Sequence, residues 1–273
     1  MENDILEKVI ELRKLDNGIT TIARKLNKCT ETIREYLVYL KELPEKPKLK
    51  GGRKRKYNVD DNFFECIDNE EKAYILGFIF ADGCVHKRNQ FSICLNSKDE
   101  NLLVKINEIM KSNFPIKREM SRYSEQYKYT EKSRFVITSG KLISDLEKYG
   151  CVQKKSDILK FPNINNENIN HFMRGYFDGD GTVFITKNNE IRMGIISTKE
   201  FCESYLKRLP YKGKAKVRKE YRSNKNVYYF SIGGKTQVKD IYNFLYDNAT
   251  VYLERKKEIF DIHYKQKLFN IIY

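Results

Sequence analysis

The chain is poor in histidine and lacks the residue spacings from which metal–thiolate, disulfide and nucleotide-driven chemistries are built. Its three histidines, His86, His171 and His263, are dispersed, and none lies beside a convincing nucleophile. The six cysteines (Cys29, Cys66, Cys84, Cys94, Cys151, Cys202) include no Cys-x-x-Cys pair and no neighbouring histidine at ligand spacing, so neither a disulfide framework nor a zinc site is signalled. Free thiols are the expectation. A phosphate-cradling glycine loop of the Walker type is missing, which argues against an NTP-driven motor. The longest apolar run, around Ala73 to Ala81, is too short to span a bilayer. The N-terminus carries Glu2 and Asp4 and lacks a signal-peptide hydrophobic region, so an intracellular protein is expected.

Acid is the scarcer charge, with 37 Asp and Glu against 52 Lys and Arg and a formal net charge of +15. Such an excess favours a polyanionic partner, because lysine and arginine gain affinity by displacing phosphate counterions. Charge alone fits DNA, RNA or an acidic membrane surface. A length of 273 residues accommodates two core-bearing units and something smaller.

Two segments carry more information than any other. Ala73-Tyr-Ile-Leu-Gly-Phe-Ile-Phe-Ala-Asp-Gly83 and Phe172-Met-Arg-Gly-Tyr-Phe-Asp-Gly-Asp-Gly181 are both apolar helix patterns ending in an acid followed by glycine, 98 residues apart. Asp82 and Asp180 occupy the same place in two copies. A carboxylate at a helix C-terminus meets the negative end of the macrodipole and is unfavourable there unless a cation is near. The glycines after them, Gly83 and Gly181, are expected to supply a left-handed helix stop. Gly77 with Ala81, and Gly175 with Gly179, place small residues on one helical face, so two such helices can approach closely. Their terminal acids would then meet, and a divalent metal is the natural neutraliser.

The repeated motif resembles the LAGLIDADG homing endonucleases. The resemblance implies two helices forming the interface between two subdomains, with the acids at the eighth motif position, here Asp82 and Asp180, binding catalytic Mg²⁺ (with Mn²⁺ as a substitute) over the DNA minor groove. The sixth position, commonly acidic, is Asp178 in the second copy but Phe80 in the first. The resemblance covers about residues 68 to 273.

The duplication continues downstream. Each acid is followed by a strand-like run, a polar turn, a second alternating run (Phe91–Leu95 and Arg192–Ile196) and an amphipathic helix pattern; Arg134–Lys141 then matches Tyr229–Lys235 ahead of a further helix. The implied fold is α+β: two pseudosymmetric LAGLIDADG αββαββα subdomains with antiparallel saddle sheets, plus a small N-terminal all-α helix-turn-helix domain. Boundaries are expected at 1–43 for the helical module, 44–67 for a basic linker, and 68–165 and 166–273 for the subdomains.

In the helical module Ala23 suits a helix crossing, Asn27 a left-handed turn, and Ile33 and Leu37 the core, with Thr30, Thr32 and Arg34 at the start of a recognition helix. Residues 1–43 carry eight basic and eight acidic side chains, so a docking or oligomerisation module is the competing reading. The linker is far more basic, with seven cations among the eleven residues from Lys46 to Lys56 and no acid. Arg53, Lys54, Arg55 and Lys56 are expected to track phosphates or enter the minor groove.

Strand alternation nominates Arg118, Gln126, Arg134, Arg192, Arg218 and Arg222 as major-groove readers, a solvated outer face being the bland alternative for each. The family resemblance also implies basic residues at the scissile phosphates, and Lys155 and Lys256 occupy equivalent places late in each half. The partner expected is double-stranded DNA, bound by a monomer, with cleavage of both strands by hydrolysis. Intron RNA bound by a maturase on the same scaffold and a non-catalytic DNA-binding regulator are the alternatives. An intein is disfavoured, since a splicing nucleophile and a terminal His-Asn pair are lacking.

Overall fold

A computed structural model of the chain describes residues 3–41, 56–121, 130–221 and 225–272. Arg53, Lys54, Arg55, Gln126 and Arg222 lie outside the described residues. The chain divides into two compact units, Met1–Arg55 and Lys56–Tyr273.

The first unit holds helices α1 (Asn3–Lys14), α2 (Ile19–Lys25) and α3 (Thr30–Tyr39), closed on a core of Val9, Ile22, Ala23, Ile33, Tyr36 and Leu37. Asn27 takes the left-handed conformation (φ 51°) in the turn before α3, where a short polar side chain tolerates it. Cys29 caps α3: its Sγ accepts from the Thr32 amide at 3.3 Å, doing what a serine or threonine usually does at this place.

The second unit begins its repeat with α4 (Glu70–Asp82), whose residues Ala73 to Phe80 are all buried, as expected of a helix that is apolar on every side. Asn69 starts it by accepting from the Lys72 amide at 2.9 Å. Strands β1 (Gly83–His86) and β2 (Gln90–Asn96), helix α5 (Glu100–Ile109), strands β3 (Ile116–Ser121) and β4 (Thr130–Thr138) and helix α6 (Gly140–Lys148) complete the first half. The second half repeats the order as α7 (Ile169–Asp180), β5 (Gly181–Ile185), β6 (Ile191–Ser197), α8 (Lys199–Arg208), β7 (Arg218–Lys219), β8 (Tyr228–Gly233) and α9 (Lys235–Tyr246). A further helix, α10 (Glu254–Ile272), follows, where the corresponding stretch of the first half holds a short 3₁₀ turn, Lys155–Asp157.

Both sheets are antiparallel and share one topology, β1-β2-β4-β3 and β5-β6-β8-β7. Their registers coincide: Gly83 pairs with Ile93 and Ile93 with Phe135, as Gly181 pairs with Ile195 and Ile195 with Phe230. Period-two alternation turns Phe91, Ile93, Leu95, Phe135 and Ile137 to the core in one sheet, and Ile191, Met193, Ile195, Phe230 and Ile232 in the other. Among the described residues of this unit, no helix packs on the opposite faces.

Helices α4 and α7 form the seam, and the fit is reciprocal. A Cβ on Gly77 would collide with the carbonyl oxygen of Phe172, and one on Gly175 with that of Tyr74, the pseudosymmetric equivalent. Backbone meets backbone at both crossings. Gly83 and Gly181 depart from the expected left-handed stop, being extended at φ −75° and −74°. Glycine is required there for space, since a side chain would strike Ile79 or Phe177 one turn earlier in its own helix. Among the cysteines, Cys151 and Cys202 are buried, which pushes their thiols up to about 12 and leaves them unreactive.

Candidate active site

The seam determines where the acids lie. Because Gly179 rests against Ala81, with its Cβ position only 3.3 Å from Oδ2 of Asp82, the two helices end side by side and present Asp82 and Asp180 to one another. Withdrawal from water raises the Asp82 carboxyl to about 6, and the facing Asp180 adds to this, while Lys256, Lys155 and Arg255 oppose it. Asp82 still keeps one side open to solvent. Asp180 is likewise raised, first by desolvation, against the pull of Lys155, Lys256 and Tyr176. Two carboxylates are thus held close at a cost that a shared cation would relieve.

Each acid sits at a helix C-terminus, where the macrodipole is hostile to it, and in each half a buried lysine supplies the compensating charge. Lys155 Nζ donates to the carbonyls of Gly83 and of Ala81 (3.4 Å) at the end of α4. Lys256 Nζ donates to Phe177 (2.6 Å), Gly179 (2.9 Å) and Gly181 (2.5 Å) at the end of α7. An ammonium has three protons, so Lys256 is fully committed. Burial lowers its pKa to about 8, with Asp178 the leading opposing influence. Their ammonium groups close the helix ends on which the acids stand, and both lysines also act on the Asp82 and Asp180 carboxyls.

The halves differ in what surrounds the acids. Asp178, fully buried, accepts from Tyr246 Oη (2.6 Å), Tyr74 Oη (2.8 Å) and the Leu253 amide (2.7 Å), which ties the segment leading to Lys256 onto α7. Its equivalent, Phe80, instead meets Phe172 edge-on at 5.2 Å. Tyr176 lies beside Asp180, and its hydroxyl donates to the Ile196 carbonyl at 3.2 Å, where the first half has Phe78. A cavity of about 200 Å³ opens beside Asp180, lined by Phe80, Lys155, Tyr176, Ile196 and Val227 among others. Nothing in the sequence signals these tyrosine ties.

On the open sheet faces the registers place Arg134, Arg192 and Arg218 outward, because each is one residue out of phase with the core positions. Arg134 lies 4.0 Å from Glu119, and Arg192 3.7 Å from Glu190. Arg118 corrects its assignment as a reader. It pairs with buried Ser133 on the helix side and grips Glu100 of α5 through Nε and Nη2, both at 2.8 Å. The outward position beside Arg134 belongs to Lys117, which the sequence pattern does not single out. In the first unit Thr30 opens α3 and is exposed, Thr32 Oγ1 is engaged with Cys29 Sγ at 3.0 Å, and Arg34 is half-buried. Lys56 lies over the Tyr57 ring at 5.3 Å.

The duplicated helix–acid pattern is matched by the family model for the LAGLIDADG-like domain, twice, over residues 69–149 and 167–245. The chain belongs to the LAGLIDADG-like family. Its two matched segments contain the two sheets and the seam helices. Among solved structures it is similar to the meganuclease I-SmaMI bound to uncleaveable DNA (16% identity, 74% of this chain and 91% of that one, TM-score 0.49). It is also similar to the homing endonuclease I-WcaI bound to its DNA recognition sequence (15%, 75% and 92%, TM-score 0.47) and to the N-terminal LAGLIDADG domain of DUF199/WhiA (16%, 73% and 93%, TM-score 0.42). A curated relative, the probable translation initiation factor IF-2 of Methanocaldococcus jannaschii, is 26% identical over 297 residues, and the chain spans about a quarter of that protein's length (24%). Among the described residues no helix is long and apolar enough to cross a membrane.

Proposed function

We propose that the chain is an endonuclease that hydrolyses both strands of a long duplex DNA site, with Asp82 and Asp180 as the residues that would hold divalent metal. The observation that carries this reading is the convergence of two desolvated acids at the ends of crossed helices, each helix end neutralised by its own buried lysine. Carboxylate oxygens are hard donors that suit Mg²⁺, with Mn²⁺ as a substitute, and such ions commonly take one or two carboxylates and complete their shell with phosphate oxygens and water. When bound, the metal orients water and stabilises charge developing on the phosphate and the leaving oxygen.

The chain's own residues do the positioning. Gly77 and Gly175 set the helix spacing, Lys155 and Lys256 hold the terminal carbonyls, and Tyr176 steadies Asp180. Cleavage across the minor groove leaves short 3′ overhangs. Arg134, Arg192, Arg218 and Lys117 face the major groove from the open sheets, where base edges differ most. One chain supplies both halves, so it acts as a monomer. The helical unit, with α3 as recognition helix, and the Arg53–Lys56 arm extend the contact, the arm through phosphates. A purely DNA-binding regulator would gain nothing from two facing carboxylates. Replacing either acid by Asn should abolish Mg²⁺-dependent double-strand cleavage and leave duplex binding intact; undiminished cutting by either variant overturns the assignment.

A further inference from the structure

The two open sheet faces are superimposable in register but not in chemistry. Shared pairing makes His86 of β1 equivalent to Phe184 of β5, Cys94 of β2 to Ile196 of β6, and Arg134 of β4 to Tyr229 of β8. The first face therefore offers groups that donate or accept hydrogen bonds, and His86 Nε2 is already in contact with Ser92 Oγ at 2.7 Å. The second offers apolar side chains, Phe184 and Ile196, at two of these places and a tyrosine at the third. Phe184 is 47% exposed and Ile196 42%, each following a buried residue of its strand, Val183 and Ile195.

This apolar surface is bracketed by charge. Phe184 pairs with Arg192, and Ile196 pairs with Tyr229, which pairs with Arg218. The Arg192 side chain runs across Gly233, whose missing Cβ would stand 3.4 Å from its Cγ. Guanidinium groups around an apolar centre complement a surface that is anionic at its rims and carries methyl groups on its floor. The major groove of T-containing DNA is such a surface, since thymine alone presents a C5 methyl there. Ile196 also borders the cavity beside Asp180, so the patch is continuous with the proposed cleavage site.

We propose that the second sheet reads thymine methyl groups, with Phe184 and Ile196 as the contacts, whereas the first sheet reads its half-site through hydrogen bonds. The inference rests on the endonuclease reading above and specifies the DNA it selects. Arg192 and Ile196 are four residues apart along β6, about 13 Å at roughly 3.3 Å per residue. Base pairs rise by about 3.4 Å, so the Phe184 and Ile196 contacts address thymines about four base pairs apart.

The test is binding to a duplex enriched from a randomised pool on the full chain, then resynthesised with uracil for thymine in one half or the other. Uracil keeps Watson–Crick pairing and removes only the methyl. Uracil in one half should weaken binding about fourfold for each contacted methyl, the value of one buried methylene-sized group, and uracil in the other half should be neutral. In a Phe184→Ala, Ile196→Ala variant of unchanged melting temperature, that discrimination should vanish while the uracil duplex is bound as before. Equal affinity for thymine and uracil duplexes in both halves overturns this inference alone, as does discrimination that survives the double substitution. Failure of the pool to enrich any duplex overturns the endonuclease reading together with it.

Discussion

Replacing Gly175 by alanine perturbs the molecule at its most constrained point. The added Cβ would overlap the Tyr74 carbonyl oxygen and stand 2.9 Å from both the Tyr74 carbonyl carbon and the Phe78 amide nitrogen. Carbon contacts ordinarily lie at about 3.5–4.0 Å, so α4 and α7 must part by on the order of 1 Å. No flexible side chain can move aside, because the obstructing atoms are backbone within a buried helix. The cost belongs at the upper end of the usual overpacking range, about 3 kcal/mol. For a unit of this size that lowers the melting midpoint by about 6–12 °C. The acids move with the helix ends, and a misplacement of about 1 Å can cost on the order of 100-fold in rate. Gly77→Ala should behave alike by pseudosymmetry. Gly233→Ala, whose Cβ would meet Arg192 Cγ at an ordinary 3.4 Å, is the control and should stay within about 0.5 kcal/mol. Thermal melting and Mg²⁺-dependent cleavage measure both consequences. A Gly175→Ala protein with wild-type midpoint and wild-type cutting would refute the backbone-to-backbone seam.

Asp82→Asn should raise the melting temperature of the metal-free chain at pH 7 while eliminating cleavage, because a carboxyl raised to about 6 is strained when ionised. The sign follows from linkage: the folded state binds the extra proton between the unfolded value near 3.8 and about 6, so this contribution to stability grows as pH falls through that window. A midpoint that drops on substitution contradicts it. Lys256→Met leaves two carbonyls of α7 and that of Gly181 just after it without their buried donor and should cost about 1–3 kcal/mol, read by denaturant titration, with a larger loss in cleavage than in DNA binding. Deleting residues 1–55 should shorten the DNA footprint and flatten the salt dependence of binding, by about 0.9 in log–log slope for each phosphate the shortened chain no longer neutralises, and leave cutting at high protein concentration. An unchanged footprint and slope would assign the helical unit to docking instead.

Much of the fold can be read from the sequence because its determinants are periodic. The apolar stretch from Ala73 to Phe80 has no polar face, so it forms a buried helix, and the recurrence of acid and glycine after each copy exposes the duplication. Phe91, Ile93 and Leu95 set the phase of β2 unaided. Strand β3 has no such alternation: Ile116-Lys-Arg-Glu-Met-Ser holds only Ile116 and Met120 as apolar residues, and its phase comes from pairing with β4, which puts Arg118 on the helix side, against Glu100, and Lys117 on the opposite face. The acids stand out in the sequence, but the ties around them do not. Lys155 and Lys256 reach main-chain carbonyls, which leave no side-chain signature, and Asp178 gathers donors from residues 68 to 104 positions away. Gly83 and Gly181 are ambiguous for a related reason, since the same residue serves a left-handed turn or a tight contact and only the packing around it distinguishes them.

The most direct test of the account is to incubate the full chain with a randomised duplex library in Mg²⁺, capture the broken ends and sequence both strands. Paired breaks are expected at one recurring sequence, offset to leave short 3′ overhangs, that disappear with a chelator and with either Asp82→Asn or Asp180→Asn. Recurrent binding without breaks, or breaks that persist in either variant, would contradict the assignment.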